Sequence, residues 1–162
     1  MLTAAMNPCP CGYFGHPTKQ CTCSPARASA YLNSISGPLL SRIDLHVEVP
    51  PVSYEQLSAI GGEETSANVR ARVVAARAIQ TNRFACTGIA CNAQIPPALD
   101  SGAEKLLRGA FDRMGLSGRA YDRILKVART IADLDASEQI RAPHLAEALQ
   151  YRALDRKYWN RG

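Results

Sequence analysis

The stretch Asn7-Pro-Cys-Pro-Cys-Gly-Tyr-Phe-Gly-His-Pro-Thr-Lys-Gln-Cys-Thr-Cys23 carries two C-x-C pairs on either side of a short loop rich in glycine and proline. Four thiolates from two close pairs can surround one tetrahedral zinc ion, with Zn–S distances of about 2.3 Å. The glycines and prolines allow the loop to turn back so that the two pairs face each other. The pattern therefore predicts a structural Zn²⁺ site whose ligands are Cys9, Cys11, Cys21 and Cys23.

Two alternatives to a metal site stay open, namely two disulfides or four unrelated thiols. Disulfides suit small secreted chains, and nothing in this sequence indicates secretion. The two cysteines of a C-x-C pair rarely bond to each other without strain, although bonding across the loop is possible. His16 can replace one sulfur ligand, but four sulfurs already complete a closed site, so we interpret His16 as a loop residue.

Composition bounds the class of protein. The 162 residues, of which 46% are hydrophobic and 20% charged, are typical of a soluble globular protein with one domain or two small ones. The net charge of +5, mainly from arginine, is compatible with nucleic acid or nucleotide phosphates as partners. No apolar run approaches the about 20 residues of a membrane span, and the first residues lack the features of a signal peptide. We therefore expect no membrane association and a reducing, cytoplasmic location.

The β portion of the predicted fold is small. Leu2–Met6 is a short apolar run that predicts a buried strand. Ile43–Val49 alternates apolar and polar residues, which predicts a half-buried strand ended by Pro50 and Pro51. Two short strands cannot form a stable sheet unaided. We therefore expect the chain to be the C-terminal piece of a longer protein.

The rest of the chain is predicted to be helical. Ser24 and Pro25 are typical of a helix start, and we expect that helix to run over 26–33 and stop at Gly37-Pro38. Four further helices are predicted, over 65–82, 101–114, 118–134 and from 142 through 154. In the second of these, Gly115 is expected to end the helix, and the residues expected to be buried are Leu106, Leu107 and Phe111. Ser117 is expected to cap the third, whose apolar stripe is formed by Tyr121, Ile124, Leu125, Ala128 and Ile131.

The first of these four helices carries an apolar stripe predicted to be buried, formed by Val69, Val73, Ala76 and Ile79. Its arginines are interpreted either as a solvated face or as a surface for DNA or a partner.

The predicted fold class is mainly α with a small β portion. Residues 1–51 form the part with two strands and the zinc loop 9–23. Residues 52–64 are a linker with a possible short helix at Tyr54–Ile60, residues 65–155 a helical bundle, and residues 156–162 a tail.

Three segments together resemble one family, and each alone would be a weak signal. They are Ala5-Met-Asn-Pro-Cys-Pro-Cys-Gly12, Ile35-Ser-Gly-Pro-Leu-Leu-Ser-Arg-Ile-Asp44 and Ser117-Gly-Arg-Ala-Tyr-Asp-Arg-Ile-Leu125. In this order they resemble the magnesium-chelatase-like AAA+ ATPases of the ComM/YifB group, which are bacterial competence and recombination proteins. The resemblance implies that residues 1–51 are the end of an AAA+ α/β core and that residues 65–155 are its helical lid.

The resemblance also implies roles for three residues. Asn7 takes the sensor 1 position, where a neutral amide can hold the attacking water, although by sequence alone it is a turn residue before proline. Arg42 matches the arginine finger, and an ion pair with Asp44 or Glu48 is the alternative. Arg119 matches sensor 2, a lid arginine that contacts nucleotide phosphates, and a solvated arginine in the first turn is the alternative.

The arginine-finger segment departs from the family at one position. The family usually has Asp-Arg there, whereas Ser41 precedes Arg42 in this chain. The arginine itself is retained.

The chain contains no G-x-x-x-x-G-K-[ST] motif, so by itself it is expected neither to bind nor to hydrolyse ATP well. For the full-length protein the resemblance implies ATP and Mg²⁺ as cofactors, DNA as partner and a homo-oligomer, a hexameric ring. The predicted function is a segment of an ATP-driven branch-migration helicase in recombination and natural transformation. The alternatives are a segment of a magnesium-chelatase motor subunit and a zinc-stabilised interaction module without catalysis.

Overall fold

The structure, a computed structural model, describes residues 2–54, 58, 64–87 and 98–152. The chain divides into two compact units after residue 57, and each unit is described by itself. The described residues are mainly helical, which confirms the mainly-α part of the predicted fold class. Among them, no helix is both long and apolar enough to cross a membrane.

In the described part of the first unit, two short helices begin on serine caps. Helix α1, Pro25–Leu32, starts where predicted, and the backbone N–H of Arg27 donates to Ser24 Oγ at 3.3 Å. Helix α2, Gly37–Leu40, was not predicted, since Gly37-Pro38 was interpreted only as a helix stop. Ser36 caps α2, and a proline in a first turn removes no helical hydrogen bond, so the same residues can also begin a helix.

Both predicted strands of the first unit are wrong for this structure. Leu2–Met6 and Ile43–Val49 have no strand pairing with any described segment. The side chains of Val47 and Val49, predicted on the buried face, are 64% and 80% exposed. Alternation marks a segment that can enter a sheet, but a strand forms only when a neighbouring strand accepts its hydrogen bonds.

Among the described residues of the second unit there are four named helices, α3 to α6. They are α3 (Ser66–Thr87), α4 (Ser101–Met114), α5 (Gly118–Leu134) and α6 (Ala142–Gln150).

The ends of α4 follow the sequence signals. Asp100 Oδ1 accepts from the backbone N–H of Ala103 at 2.6 Å, and Gly115 ends the helix in the left-handed conformation, as predicted. A parallel bridge between Leu99 and Ile140 ties the segments that lead into α4 and α6.

The core of the second unit lies along α5. Ile124, Ala128 and Ala132 of this helix are buried and pack with Leu107 of α4 and Leu145 of α6. The apolar stripe predicted for α5 therefore includes residues that form the core.

Helix α6 was predicted to run through Leu154 and ends at Gln150 within the described residues. The predicted tail 156–162, Cys91 and most of a possible helix at Tyr54–Ile60 lie outside the described residues.

Helix α3 differs from its prediction at its C-terminal end and in which of its residues are buried. It runs past residue 82 to Thr87. Of its predicted stripe Ala76 is buried, whereas Val69 and Val73 are exposed. The stripe was predicted as one buried face, but only the C-terminal half of α3 packs against α5.

A buried carboxylate joins these two helices. The side chain of Asp133 in α5 is fully buried and accepts from Gln80 Nε2 at 3.3 Å and from Arg83 Nη1 at 3.1 Å, and it also accepts from Arg83 Nη2. Arg129 Nε donates to it at 3.0 Å from one turn earlier in α5. The Arg129 guanidinium further donates to the backbone carbonyls of Ser137 and Glu138. The network thus links α3, α5 and the turn after α5.

Replacing Asp133 with asparagine should strongly destabilise the second unit. The substitution keeps the shape but leaves the buried Arg129 and the half-buried Arg83 guanidinium groups without a counter-charge, at a cost of about 3–5 kcal/mol in the free energy of unfolding. Urea denaturation followed by circular dichroism measures the change. The exposed Asp122→Asn in the same helix is the control, with an expected change of less than about 0.5 kcal/mol. An Asp133→Asn chain as stable as the control would contradict the role of the network.

The contacts of a second carboxylate, Asp135, indicate that the stability of the second unit depends on pH. Its Oδ2 accepts from His144 Nε2 at 3.1 Å and from Arg141 Nη2. The His144 hydrogen bond and the Arg141 charge lower the pKa of Asp135 below its ordinary 3.8. A lowered folded-state pKa gives stability that is present above the ordinary pKa and lost as the pH falls through the folded-state value.

The difference in free energy of unfolding between the wild type and Asp135→Asn should therefore be constant near neutral pH and shrink below about pH 4. Denaturation series at several pH values test this. A difference that is independent of pH down to the acid limit of folding would count against it.

Candidate functional site

The loop between the two cysteine pairs is built from two tight turns. The backbone N–H of Gly12 donates to the Cys9 carbonyl at 3.0 Å, and that of His16 donates to the Tyr13 carbonyl at 3.1 Å. Gly12 and Gly15 have φ values of +81° and +77°, which residues with a Cβ adopt only at a cost. The glycines therefore let the chain reverse and bring the second pair back to the first.

The four sulfurs lie in one cluster. Sγ of Cys9 lies 3.3 Å from Sγ of Cys11 and 3.7 Å from Sγ of Cys21, and the Cys11–Cys21 distance is 3.5 Å. All four Sγ atoms, that of Cys23 included, lie within 4.8 Å of one another. In a tetrahedral zinc site with Zn–S of about 2.3 Å, neighbouring sulfurs are about 3.8 Å apart. The cluster therefore has the donor set and dimensions to hold one metal ion.

The four cysteines are free thiols rather than disulfides. Their sulfurs are separated by far more than the roughly 2.05 Å of a covalent S–S bond. The disulfide alternative therefore does not describe this structure.

The thiols influence each other's ionisation. The backbone N–H of Tyr13 stabilises the Cys11 thiolate and lowers its pKa to about 5. The backbone N–H of Cys23 favours the thiolate of Cys21, but burial and the adjacent sulfurs of Cys11 and Cys9 outweigh it and raise the Cys21 pKa to about 12. Four adjacent thiols cannot all ionise without a cation between them, and a bound divalent metal supplies that charge.

His16 lies in the loop outside this ligand set, as predicted. Its Nδ1 accepts from the backbone N–H groups of Thr18 at 3.2 Å and Lys19 at 3.0 Å. Its ring meets the Tyr13 ring edge-on at 5.7 Å, and Lys19 Nζ lies 5.1 Å from the centre of the Tyr13 ring. These contacts brace the tip of the loop.

Asn7 and Arg42, the two predicted nucleotide-facing residues of the first unit, are exposed. A Cβ added to Gly12 would lie 3.9 Å from Cγ and Nδ2 of Asn7, so the Asn7 amide lies against the first turn of the loop. Arg42 follows α2, and its Nη1 donates to the Pro38 carbonyl at 3.2 Å.

Arg119 belongs to the second unit and is the second residue of α5. Ser117 caps the helix by accepting from the backbone N–H of Ala120 at 3.3 Å, which confirms the predicted helix start. Within the described part of the chain the exposed Arg119 side chain has no hydrogen-bond or ion-pair partner. A positive charge in the first turn of a helix is disfavoured by the helix dipole, so local stability does not account for this arginine.

Sequence reasoning missed a groove between α4 and α5. Phe111 was predicted to be buried, but it is 41% exposed and meets the Tyr121 ring edge-on at 6.3 Å. The groove has a volume of about 550 Å³ and is lined by Leu99, Glu104, Leu107, Arg108, Phe111, Asp112 and Tyr121. Periodicity places Phe111 on the apolar side of α4, but only the packing of α5 decides that a groove stays open there.

Comparison with known proteins covers both units. The family model described as magnesium chelatase, subunit ChlI, matches residues 1–57, and the model for the C-terminal part of the same subunit matches residues 63–152.

Among curated proteins, the chain is 44% identical over 159 residues to competence protein ComM of Haemophilus influenzae. It is 42% identical over 164 residues to the uncharacterized protein YifB of Escherichia coli. Each match covers 96% of this chain and 31% of the relative, so the chain spans about a third of the length of these relatives. Together with the two family-model matches, this similarity means that the chain belongs to the magnesium chelatase ChlI family, in the ComM/YifB group that its three motifs resemble.

Proposed function

We propose that this chain is the arginine-finger, sensor and lid segment of an ATP-driven DNA motor that acts by branch migration in recombination and natural transformation. The observation that carries the proposal is the similarity over 96% of the chain to a protein named as a competence protein. The net charge of +5 is compatible with DNA as partner of the full-length protein.

Arg42 is the proposed arginine finger. A guanidinium can contact two phosphate oxygens at once and stabilise the charge that develops on them in the transition state. Arg42 is exposed and follows the single turn of α2, and its hydrogen bond to the Pro38 carbonyl orients the side chain. A finger acts on the nucleotide of a neighbouring subunit, so the proposal includes a homo-oligomer, a hexameric ring of the full-length protein.

Asn7 and Arg119 are the proposed sensors of the nucleotide. The Asn7 amide can orient a water molecule beside the terminal phosphate, and the metal loop beside it would hold that amide in place. Arg119 can contact phosphate oxygens from the lid, and its exposed side chain is available to a ligand. Together they would couple the state of ATP and Mg²⁺ in the full-length protein to the position of the lid.

We further propose that the four-cysteine cluster binds one Zn²⁺ as a structural ion. Four sulfur ligands complete a tetrahedral site and leave no open position for substrate. The bound ion would neutralise the cluster and stiffen the loop behind Asn7.

The metal proposal predicts both the metal content of the chain and the effect of removing one ligand. Native mass spectrometry should find one zinc ion per chain, and Cys21→Ser should remove it and unfold the loop locally while the helical unit stays folded. Cys86→Ser is the matched control, because Cys86 is an exposed thiol outside the cluster.

Gly12→Ala should weaken the affinity for cobalt(II), used as a coloured substitute, by about 5- to 30-fold, since a side chain at positive φ costs about 1–2 kcal/mol. Gly37→Ala, where a Cβ meets nothing within 4 Å, should leave the affinity unchanged. Metal-free protein prepared under reducing conditions would overturn the proposal.

The nucleotide roles are tested in the full-length protein. Arg42→Ala should lower ATP turnover by about 10³-fold or more, the contribution typical of an arginine finger. Arg27→Ala, which removes an exposed arginine from α1, should leave turnover unchanged. ATPase activity of Arg42→Ala equal to that of the wild type would exclude the finger.

The alternative functions can be distinguished by the substrate on which the full-length protein acts. The family-model description, magnesium chelatase, favours a motor subunit that drives magnesium insertion into a porphyrin as the second candidate. Migration of a branched DNA by the full-length protein supports the DNA motor, and porphyrin metallation supports the chelatase. Absence of both, together with an unchanged Arg42→Ala ATPase, would favour the non-catalytic interaction module.

A further inference from the structure

The N-terminal half of α3 is a helix without a packing partner among the described residues. Every residue from Ser66 to Ala75, here called the α3 arm, is exposed, including Val73 at 47% and Val74 at 61%. The helix continues without a break into the half that Gln80 and Arg83 fasten to α5. The arm is therefore attached to the bundle but covers none of its core.

The arm combines an apolar row with positive charge. Val69 and Val73 are four residues apart, so they lie on one face with a rise of about 6 Å between them. Arg70 lies beside this row and has no ion-pair partner within the described ranges, whereas Arg72 pairs with Glu64. The sequence has no aspartate or glutamate between Glu64 and Asp100. The surface that the arm offers is thus apolar with a positive border.

The groove between α4 and α5 has the complementary character. Its apolar wall is formed by Leu99, Leu107 and Phe111. Its charged residues are Glu104, Arg108 and Asp112, which leave it with one net negative charge. A volume of about 550 Å³ accommodates the valine row of a helix, and a helix that lays an apolar row into a groove is a common mode of recognition.

A second copy of the chain would carry both surfaces, and the positive Arg70 of the arm complements the net negative charge of the groove. Since every residue of the arm is exposed, the arm does not occupy the groove of its own copy. We propose that the α3 arm of one copy docks into the α4–α5 groove of the next, with Val69 and Val73 against Phe111 and with Arg70 near Glu104 or Asp112. The two surfaces differ, so the contact is head-to-tail, and a pair of copies keeps one free arm and one free groove for further neighbours. The contact specifies one interface of the homo-oligomer in the proposed function, and the identity of the partner rests on that proposed function.

Sedimentation velocity of the 162-residue chain over a range of concentrations tests the contact. The wild type should self-associate, and either Val69→Asp/Val73→Asp or Phe111→Asp should weaken the association by about tenfold or more, the loss that corresponds to 1.4 kcal/mol. Val47→Asp, an exposed valine of the first unit, is the matched control and should associate as the wild type does. Circular dichroism verifies that each variant is folded.

A mixture of the arm variant, Val69→Asp/Val73→Asp, with the groove variant, Phe111→Asp, tests whether the contact joins an arm to a groove. The groove of the arm variant is intact, and so is the arm of the groove variant, so the mixture should form dimers and nothing larger. In the same way, Arg70→Glu should weaken the association, and mixing it with Glu104→Arg should restore part of it. If the loss follows from misfolding instead, neither mixture recovers, which overturns the assignment.

Other outcomes also overturn the contact. These are a wild type that stays monomeric at every concentration, arm and groove variants that associate as the wild type does, or a monomeric wild type that binds a single-stranded oligonucleotide through Arg70. The last result would assign the arm to nucleic acid. The sedimentation experiment contains no nucleotide and does not involve Arg42. If the contact fails, the Arg42→Ala ATPase measurement therefore remains an independent test of the motor.

Discussion

The second unit depends on the buried carboxylate of Asp133. Burial of an ionised group is costly unless its charge is balanced and its lone pairs are used, and here Arg83, Arg129 and Gln80 meet both conditions. Arg83 and Gln80 come from α3, so the carboxylate fixes which part of that helix lies on α5. The exposure of the arm follows, because a continuous helix fastened at one end extends away from the contact at the other.

The first unit is organised by a different constraint. It has few buried apolar side chains, and its best-defined local structure is the loop that gathers four sulfurs around Cys9. Small units with little apolar core commonly use a metal ion or covalent links in place of hydrophobic burial. A metal ion at the cluster would therefore stabilise the unit and hold the amide of Asn7, which connects the structural site to the proposed nucleotide site.

In the proposed function the two units have different roles. Asn7 and Arg42 would act at the end of an ATPase core, whereas Arg119 would report from the lid. Arg119 lies at a position that local stability does not explain well, because the first turn of α5 disfavours a positive charge. Local misfits of this kind are expected where function rather than folding selects the residue.

Local sequence patterns were sufficient to predict the helical class, the starts of α1 and α5, the end of α4 and the grouping of the four cysteines. These features depend on interactions within a few residues, such as the Ser24 and Ser117 caps and the turns at Gly12 and Gly15. Which apolar faces are buried depends instead on contacts between segments that are distant in the chain. Ile43–Val49 alternates as a strand does but has no strand beside it, and Val69 and Val73 continue a buried stripe but lie beyond the reach of α5. Burial of a face depends on residues that are distant in the chain, as Gln80 and Asp133 are. Local periodicity therefore cannot predict it.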